Sequence, residues 1–173
     1  MSVNVQVIGP QPAGLYGLGR DLEDARAVYA PLVDKAKGAL RFLLGDCGSV
    51  NVVTSGSRGA PQLGFWAANA VRREGGDVRL TVLAPFPGQE ARWPEDGLFG
   101  RRMYRRMLSV ADEVSFASAE LGPRAVSSQA ARAARLCPVT VYIAPCDESG
   151  GPAVADIEQL LAAQEAGSRI LVV

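Results

Sequence analysis

Short runs of β-branched and other apolar residues alternate along this chain with longer stretches in which apolar residues recur at helical spacing. The short runs predict strands, and the longer stretches predict helices between them. Because a strand, a helix and a second strand in sequence form a βαβ unit, this order predicts parallel pairing. We therefore expect an α/β fold of three-layer, Rossmann-like architecture, with a mostly parallel sheet and helices on both faces.

The pattern also gives approximate bounds for each element. No repeat, low-complexity segment or linker interrupts it, which predicts a single domain over residues 1–173. Pro31 is expected either to kink the first helix or to divide it. The predicted strands are Val3–Ile8, Val50–Thr54, Val78–Ala84, Glu113–Ala117, Val139–Ala144 and Ile170–Val173, and the predicted helices are Asp21–Leu44, Pro61–Arg73, Pro94–Val110, Ala125–Leu136 and a last one from about Pro152 to Glu165.

Composition restricts the partners and the location. With 173 residues, 48% of them hydrophobic, the chain can bury one substantial core. Its formal net charge is zero, so no overall attraction to nucleic acid or to an anionic membrane is expected. We therefore expect no nucleic-acid partner. We also expect no membrane, because no transmembrane run is seen, and the start of the sequence does not read as a secretion signal.

Cysteine and histidine usage restricts the chemistry. The three cysteines, Cys47, Cys137 and Cys146, are far apart and form no CxxC pair, which predicts neither a disulfide framework nor a zinc site and favours the cytoplasm. The chain has no histidine, which excludes Ser-His-Asp catalysis and histidine-based metal sites. We expect no metal and no required cofactor, and any catalysis would depend on carboxylates, hydroxyls, Lys, Arg or backbone dipoles.

Glycine-rich turns follow several of the predicted strands. In open α/β sheets, ligands bind beyond the carboxyl ends of the strands, where the amides of a following helix point outward. Each turn alone could be a simple strand-to-helix connection, but together they favour a phosphate pocket. Glycine allows close backbone approach, serine hydroxyls donate hydrogen bonds, and an arginine supplies a fork to phosphate. The residues of these turns are Gly9 and Pro10, then Ser55, Gly56, Ser57, Arg58 and Gly59, and finally Gly150 and Gly151.

Two further segments carry candidate chemistry. The loop after the third predicted strand contains Glu90, a candidate general base or ribose anchor, and Trp93, a candidate ligand-facing ring. Four arginines recur between Arg101 and Arg106, a pattern typical of a solvated helix face rather than a nucleic-acid patch. The mixture of apolar and arginine residues over Arg101–Leu108 also suits an interface, and we expect a homo-oligomer.

Several stretches together resemble the SLOG superfamily of Rossmann-like domains, which includes DprA-type and LOG-type proteins, and most of all its YpsA-like branch. The first strand ending in Gly9 resembles the branch's first strand and glycine turn, and Val53-Thr54-Ser55-Gly56 leading to Trp66-Ala67-Ala68 resembles its second strand, Ser-Gly turn and helix. The closest similarity is in the loop that carries Pro85, Phe86, Gln89, Glu90 and Trp93. Ala111-Asp112-Glu113-Val114 resembles the entry to the fourth strand. Gly150-Gly151 before a helix resembles a Gly-Gly-Thr turn that contributes to the superfamily's phosphate or nucleotide pocket.

Departures from the family pattern bear on the activity that the resemblance implies. Gly64 and Asn69 stand where acidic residues are expected, and Pro152 replaces the threonine of Gly-Gly-Thr. An aspartate expected before the fifth strand is also missing. The PGGxGTxxE motif of LOG-type phosphoribohydrolases is absent, and Glu158 is only a loose substitute for its glutamate. The resemblance therefore implies binding of a nucleotide-derived small molecule more strongly than hydrolysis.

Three hypotheses follow. The first is a SLOG-like domain that senses or sequesters a nucleotide derivative. The second is an N-glycosidase, phosphoribohydrolase or deoxyribosyltransferase-like enzyme that uses Glu90 or Glu158 to stabilise an oxocarbenium-like sugar. The third is a structural or partner-binding protein whose pocket is vestigial.

Overall fold

Six strands and five helices alternate along the part of the chain that the structure describes. This computed structural model describes residues 2–11, 22–144 and 154–173, with side chains for all of these except residues 22–28 and 154–156. The elements are β1 (Ser2–Ile8), α1 (Leu22–Cys47), β2 (Ser49–Thr54), α2 (Ala60–Arg73), β3 (Val78–Ala84), α3 (Arg101–Val110), β4 (Glu113–Phe116), α4 (Ala125–Leu136), β5 (Val139–Tyr142), α5 (Val154–Glu165) and β6 (Arg169–Val172).

The six strands form one sheet in the order β4-β3-β2-β1-β5-β6, and every neighbouring pair is parallel. From β1 to β4 the chain moves across the sheet in one direction, and it then returns to the other side of β1 for β5 and β6. Right-handed crossovers place α1, α2 and α3 on one face and α4 and α5 on the other. The expected three-layer, Rossmann-like α/β fold is confirmed.

The two faces of the sheet are packed differently. Under α1, α2 and α3 lies a large apolar core that includes Leu40, Phe65 and Tyr104 from the helices. Under α4 lies a much smaller cluster of four buried residues, Val53, Leu83, Ala133 and Cys137. Two helices of 12 residues each cover this face, whereas helices of 26, 14 and 10 residues cover the other.

Polar side chains occupy part of the thinly covered face. Asn51 donates from Nδ2 to the Asn4 Oδ1 at 3.0 Å and accepts at its own Oδ1 from the Thr81 hydroxyl at 2.9 Å. Gln6 Nε2 donates to the Thr140 hydroxyl at 2.8 Å. These bonds satisfy polar groups that would be costly to bury unpaired.

Most predicted elements begin and end within two residues of the observed ones, with α1 and the third predicted helix as the exceptions. The prediction that a helix runs from Pro94 was wrong: α3 begins at Arg101. The Arg101 amide donates to the Pro94 carbonyl at 2.8 Å, a seven-residue span that α-helical geometry does not contain. Gly97 at φ 103° turns the chain in the left-handed region. The alternative that Pro31 divides the first helix was also wrong, because α1 continues through it.

The strand order reverses between β1 and β5, which are neighbours in the sheet although most of the chain separates them. In open α/β sheets such a reversal leaves a crevice beyond the carboxyl ends of the strands, where ligands bind. The residues that follow β1 and β2, together with the end of β5, meet at this edge.

Candidate functional site

The turn after β1 is packed tightly against its neighbours. Gly9 has φ 147°, and a Cβ built on it would lie 2.5 Å from the Ile143 carbonyl oxygen and 2.8 Å from the Ala60 Cβ. The carbonyl of Pro10 accepts a hydrogen bond from the Ala60 amide at 3.1 Å. Both Gly9 and Pro10 are buried. The ends of β1, β2 and β5 are therefore held together at one point by backbone contacts, and Gly9 is required there by packing.

The loop after β2 runs from Ser55 to Gly59 and is shaped by its own side chains. The Thr54 hydroxyl accepts from the Gly56 amide at 3.2 Å, and the Ser55 hydroxyl accepts from the Ser57 amide at 3.2 Å. These short side-chain turns are typical of Ser and Thr beside glycine. Gly59 has φ 92°, and a Cβ there would collide with the Pro10 carbonyl oxygen. The β2 loop is thus fixed directly against the β1 turn.

Gly56 faces the protein interior. Its φ is 68°, and a Cβ on it would lie 2.5 Å from the Met107 Cε and 2.8 Å from a ring carbon of Tyr104. The Gly56 carbonyl accepts from Gln62 Nε2 at 3.1 Å, and Gln62 is fully buried. Gly56 therefore allows the β2 loop to pack on α3 and lies on the side of this loop that faces the core.

Within the described residues, the donors at this edge that have no partner belong to Arg58 and Gly59. Three amides nearby, those of Gly56, Ser57 and Ala60, already donate within the protein. The amides of Arg58 and Gly59 are not among these internal bonds, and the buried Nε of the half-buried Arg58 side chain has no acceptor in the described part of the chain. A buried guanidinium N–H without a partner costs free energy unless an acceptor binds to it.

The loop after β3 is tied to the same edge by Gln89. Its Nε2 donates to the Ser55 carbonyl at 2.9 Å and to the Tyr104 hydroxyl at 2.9 Å. Trp93 packs edge-to-face on Tyr104, with ring centroids 5.2 Å apart. Burial raises the pKa of the Tyr104 hydroxyl, so this group stays protonated at neutral pH. Gln89 is thus a bridge between the β2 and β3 loops, and Trp93 lies half-buried against the core.

The remaining candidates in the β3 loop lie beside this bridge. Pro85 is buried, and Phe86 and Glu90 are half-buried. Glu90 follows Gln89 directly, and its carbonyl accepts from the Trp93 amide at 2.9 Å. The structure therefore attaches Glu90 to the same loop cluster as Ser55.

Glu158 lies in a different layer from Glu90. It is exposed on α5 and lines a groove between α4 and α5 of about 410 Å³. Its neighbour Gln159 instead lines a small cavity of about 10 Å³ beneath Ser55, with Gln6 and Gln129 among the other polar walls. A space of this size is comparable to that of one water molecule.

The arginines of α3 are largely occupied by ion pairs with the loop before it. Arg101 and Arg105 contact the Glu95 carboxylate at 2.8 and 3.4 Å, and Arg102 contacts Asp96 at 3.2 Å. The Arg106 guanidinium stacks over the Trp66 ring at 5.7 Å. This arrangement is that of a solvated, internally paired helix face.

Two of the predicted residues, Gly150 and Gly151, lie outside the described part of the chain. Sequence reasoning did not single out Gln62 or Tyr104, which shape the site from below. The available signal for Tyr104 was its spacing of three residues from Met107, which places both on one apolar stripe of α3. Gln62 gave no signal of its own, since a single amide within a helix is usually exposed.

A scan against protein-family models and a search of curated protein sequences both give no match. Among the described residues, no helix combines the length and apolar character that a membrane crossing requires. Within the same residues, no group of three or more Cys, Asp or Glu side chains is placed to hold a metal ion.

Proposed function

We propose that this chain is a SLOG-like domain, closest to the YpsA-like branch, that binds a nucleotide or a related phosphorylated small molecule. The site lies at the carboxyl edge of the sheet, where the β1 turn and the β2 loop meet beside the end of β5. We also propose a cytoplasmic location, which the cysteine pattern supports.

One observation carries this proposal: the buried Nε of Arg58 has no hydrogen-bond acceptor within the described residues. Arg58 lies on the β2 loop, which is held where the strand order reverses. Phosphate oxygens are strong acceptors for a guanidinium, which can donate two parallel hydrogen bonds to them. A phosphorylated ligand would satisfy this donor and stabilise the loop.

The surroundings of Arg58 favour an anion as the occupant. Gly59 immediately precedes α2, a helix of 14 residues with no acidic residue in its first turn. The aligned peptide dipoles of such a helix give its beginning a partial positive charge that attracts anions. The hydroxyl of half-buried Ser57 lies beside Arg58 in the sequence and is available as a further donor.

Calorimetry with matched ligand pairs tests the proposal. We expect at least one member of a panel of nucleoside monophosphates, ADP-ribose derivatives and cyclic dinucleotides to bind at micromolar concentration. The corresponding nucleoside without phosphate should bind at least about tenfold more weakly, because it lacks the charge-assisted hydrogen bonds. Silence across the panel from a folded sample, or equal affinity for nucleoside and nucleotide, would contradict the proposal.

A second candidate function is cleavage of a nucleotide glycosidic bond with Glu90 as the carboxylate. The hydrogen bond from Gln89 to the Ser55 carbonyl at 2.9 Å favours this function. Because Glu90 follows Gln89 directly, the bond holds Glu90 near the β2 loop, which forms the proposed phosphate site. Within the described residues, no hydrogen bond links Glu158 to that loop, although its neighbour Gln159 lines a small cavity with Ser55.

If the chain is such an enzyme, nucleoside monophosphates should release free base, detected by chromatography. The Glu90→Gln variant should lose at least about 100-fold in rate, because a neutral amide cannot stabilise the oxocarbenium-like transition state. Glu158→Gln is the matched control and should retain the wild-type rate. Absence of base release by the wild type would leave only the binding function.

A further inference from the structure

The outer layer formed by α4 and α5 carries an unusual share of exposed apolar surface. Nine large hydrophobic side chains are exposed among the described residues, and five of them belong to α4, α5 or the segment just before α4. Apolar groups concentrated in one layer of a surface are typical of an interaction site. The five are Leu121, Val126, Leu136, Ile157 and Leu161.

The two helices of this layer carry charges of opposite sign. Arg132 and Arg135 are exposed on α4, which has no acidic residue, and Arg124 is exposed immediately before it. Glu158 and Glu165 are exposed on α5, whose sequence contains no Lys or Arg. None of these five side chains takes part in an ion pair within the described residues. One helix is thus basic and its neighbour acidic, and neither has an ion-pair partner within the described residues; Arg132 donates only to the Phe116 carbonyl, at 3.3 Å.

The two helices also differ in shape. The outward side of α4 contains a shallow concavity of about 690 Å³, which is lined by small residues such as Ser128 and Ala131 between Arg124 and Arg135. The outward side of α5 presents larger side chains, with Leu161 51% exposed between Glu158 and Glu165. A protruding leucine flanked by carboxylates matches a concavity flanked by guanidinium groups.

We propose that α4 and α5 form the interface of a two-fold symmetric homodimer, in which α5 of each copy packs into the α4 concavity of the other. Leu161 lies over Ser128 and Ala131 of the second copy, and Glu165 pairs with its Arg135. A symmetric interface uses the same surface on both subunits, so each pairing occurs twice.

Charge separation also selects the direction of the symmetry axis. If the two-fold axis runs parallel to the helices, each α4 faces the α5 of the second copy and opposite charges meet. If the axis runs across the helices, α4 faces α4 and the arginines repel one another. At a rise of 1.5 Å per residue, Arg124 and Arg135 are roughly 16 Å apart and Glu158 and Glu165 roughly 10 Å apart, a difference that flexible arginine side chains can span.

Sedimentation velocity over a concentration series tests the apolar part of the interface. The wild type should change from monomer to dimer as its concentration rises, and Leu161→Asp should weaken the association at least about tenfold by placing a charge in a desolvated contact. Phe42→Asp is the matched control, because Phe42 is 53% exposed and Leu161 is 51% exposed, but Phe42 lies on α1 in the opposite layer. A wild type that is monomeric up to about 500 µM, or equal behaviour of the two variants, would overturn the proposal.

Reversing the charges of Arg135 and Glu165 tests the proposed direction of the two-fold axis. Arg135→Glu and Glu165→Arg should each weaken the dimer several-fold, and the double variant should recover an affinity within about threefold of the wild type, because both symmetry-related pairs are restored in swapped form. A double variant no stronger than the single ones would show that these residues do not face each other. Loss of the dimer on Arg105→Glu in α3, with the α4 and α5 variants unaffected, would place the interface on α3 instead.

Discussion

Replacing Gly9 with alanine is expected to lower the free energy of unfolding by about 3 kcal/mol or more. The added Cβ would lie 2.5 Å from the Ile143 carbonyl oxygen and 2.8 Å from the Ala60 Cβ, and neither is the end of a flexible side chain. The backbone at φ 147° also disfavours any L-amino acid. Urea denaturation followed by tryptophan fluorescence measures the loss.

Gly75→Ala is the control that separates the two causes. Gly75 has φ 97° in a turn, yet a Cβ on it would meet nothing within 4 Å. Its replacement should therefore report the backbone conformational cost alone, about 1 kcal/mol. If Gly9→Ala is no more destabilising than Gly75→Ala, the turn after β1 is not packed closely against Ile143 and Ala60.

The glycines of the strand-end turns have a packing role. Gly9, Gly56 and Gly59 each contact another part of the protein so closely that a side chain would collide with it. Their presence is explained by the packing of strand-end loops on one another and on α3. At the proposed ligand site, the role we assign to these glycines is to position their neighbours, above all Arg58.

The order of elements could be predicted from the sequence because the signals are local. Strand residues of the buried sheet are mostly β-branched, and burial on both faces makes some runs continuous, as in Val139–Tyr142, where all four residues are buried. The start of α3 is set by Gly97 and Gly100, which interrupt the helical pattern over residues 94–110 and which the predicted helix from Pro94 did not take into account. A loop forms over residues 94–100, and the amides of Arg101 and Arg102 donate to the carbonyls of Pro94 and Glu95 seven residues earlier.

The candidate site was predictable only in part. The positions of the β1 turn and the β2 loop follow from the strand pattern and from the rule that ligands bind at carboxyl ends. The contact between Gly56 and Tyr104 joins residues that are far apart in the sequence, and no local pattern indicates it. The same holds for the hydrogen bond from Gln89 to Ser55, which assembles the loops into one cluster.

Replacing Arg58 with glutamine is expected to weaken binding of a phosphorylated ligand about 10- to 100-fold, the equivalent of losing one or two charge-assisted hydrogen bonds. The affinity of the Arg58→Lys variant should lie between that of Arg58→Gln and that of the wild type, because lysine keeps the charge but not the planar guanidinium. Calorimetry at two salt concentrations measures the affinity of each variant. The affinity of Arg58→Gln should change less with salt than that of the wild type. Arg73→Gln is the matched control: Arg73 is the exposed last residue of α2, at the opposite end of the helix from Arg58.

The stability of the unliganded Arg58→Gln protein distinguishes a binding role from a structural one. Because the buried Nε of Arg58 has no acceptor within the described residues, its removal should leave the free energy of unfolding unchanged or raise it by about 1 kcal/mol. Binding residues commonly show this opposition between function and stability. If Arg58→Gln instead unfolds at clearly lower urea concentration while ligand affinity is unaffected, Arg58 supports the fold, and the anion site must lie elsewhere along the carboxyl edge.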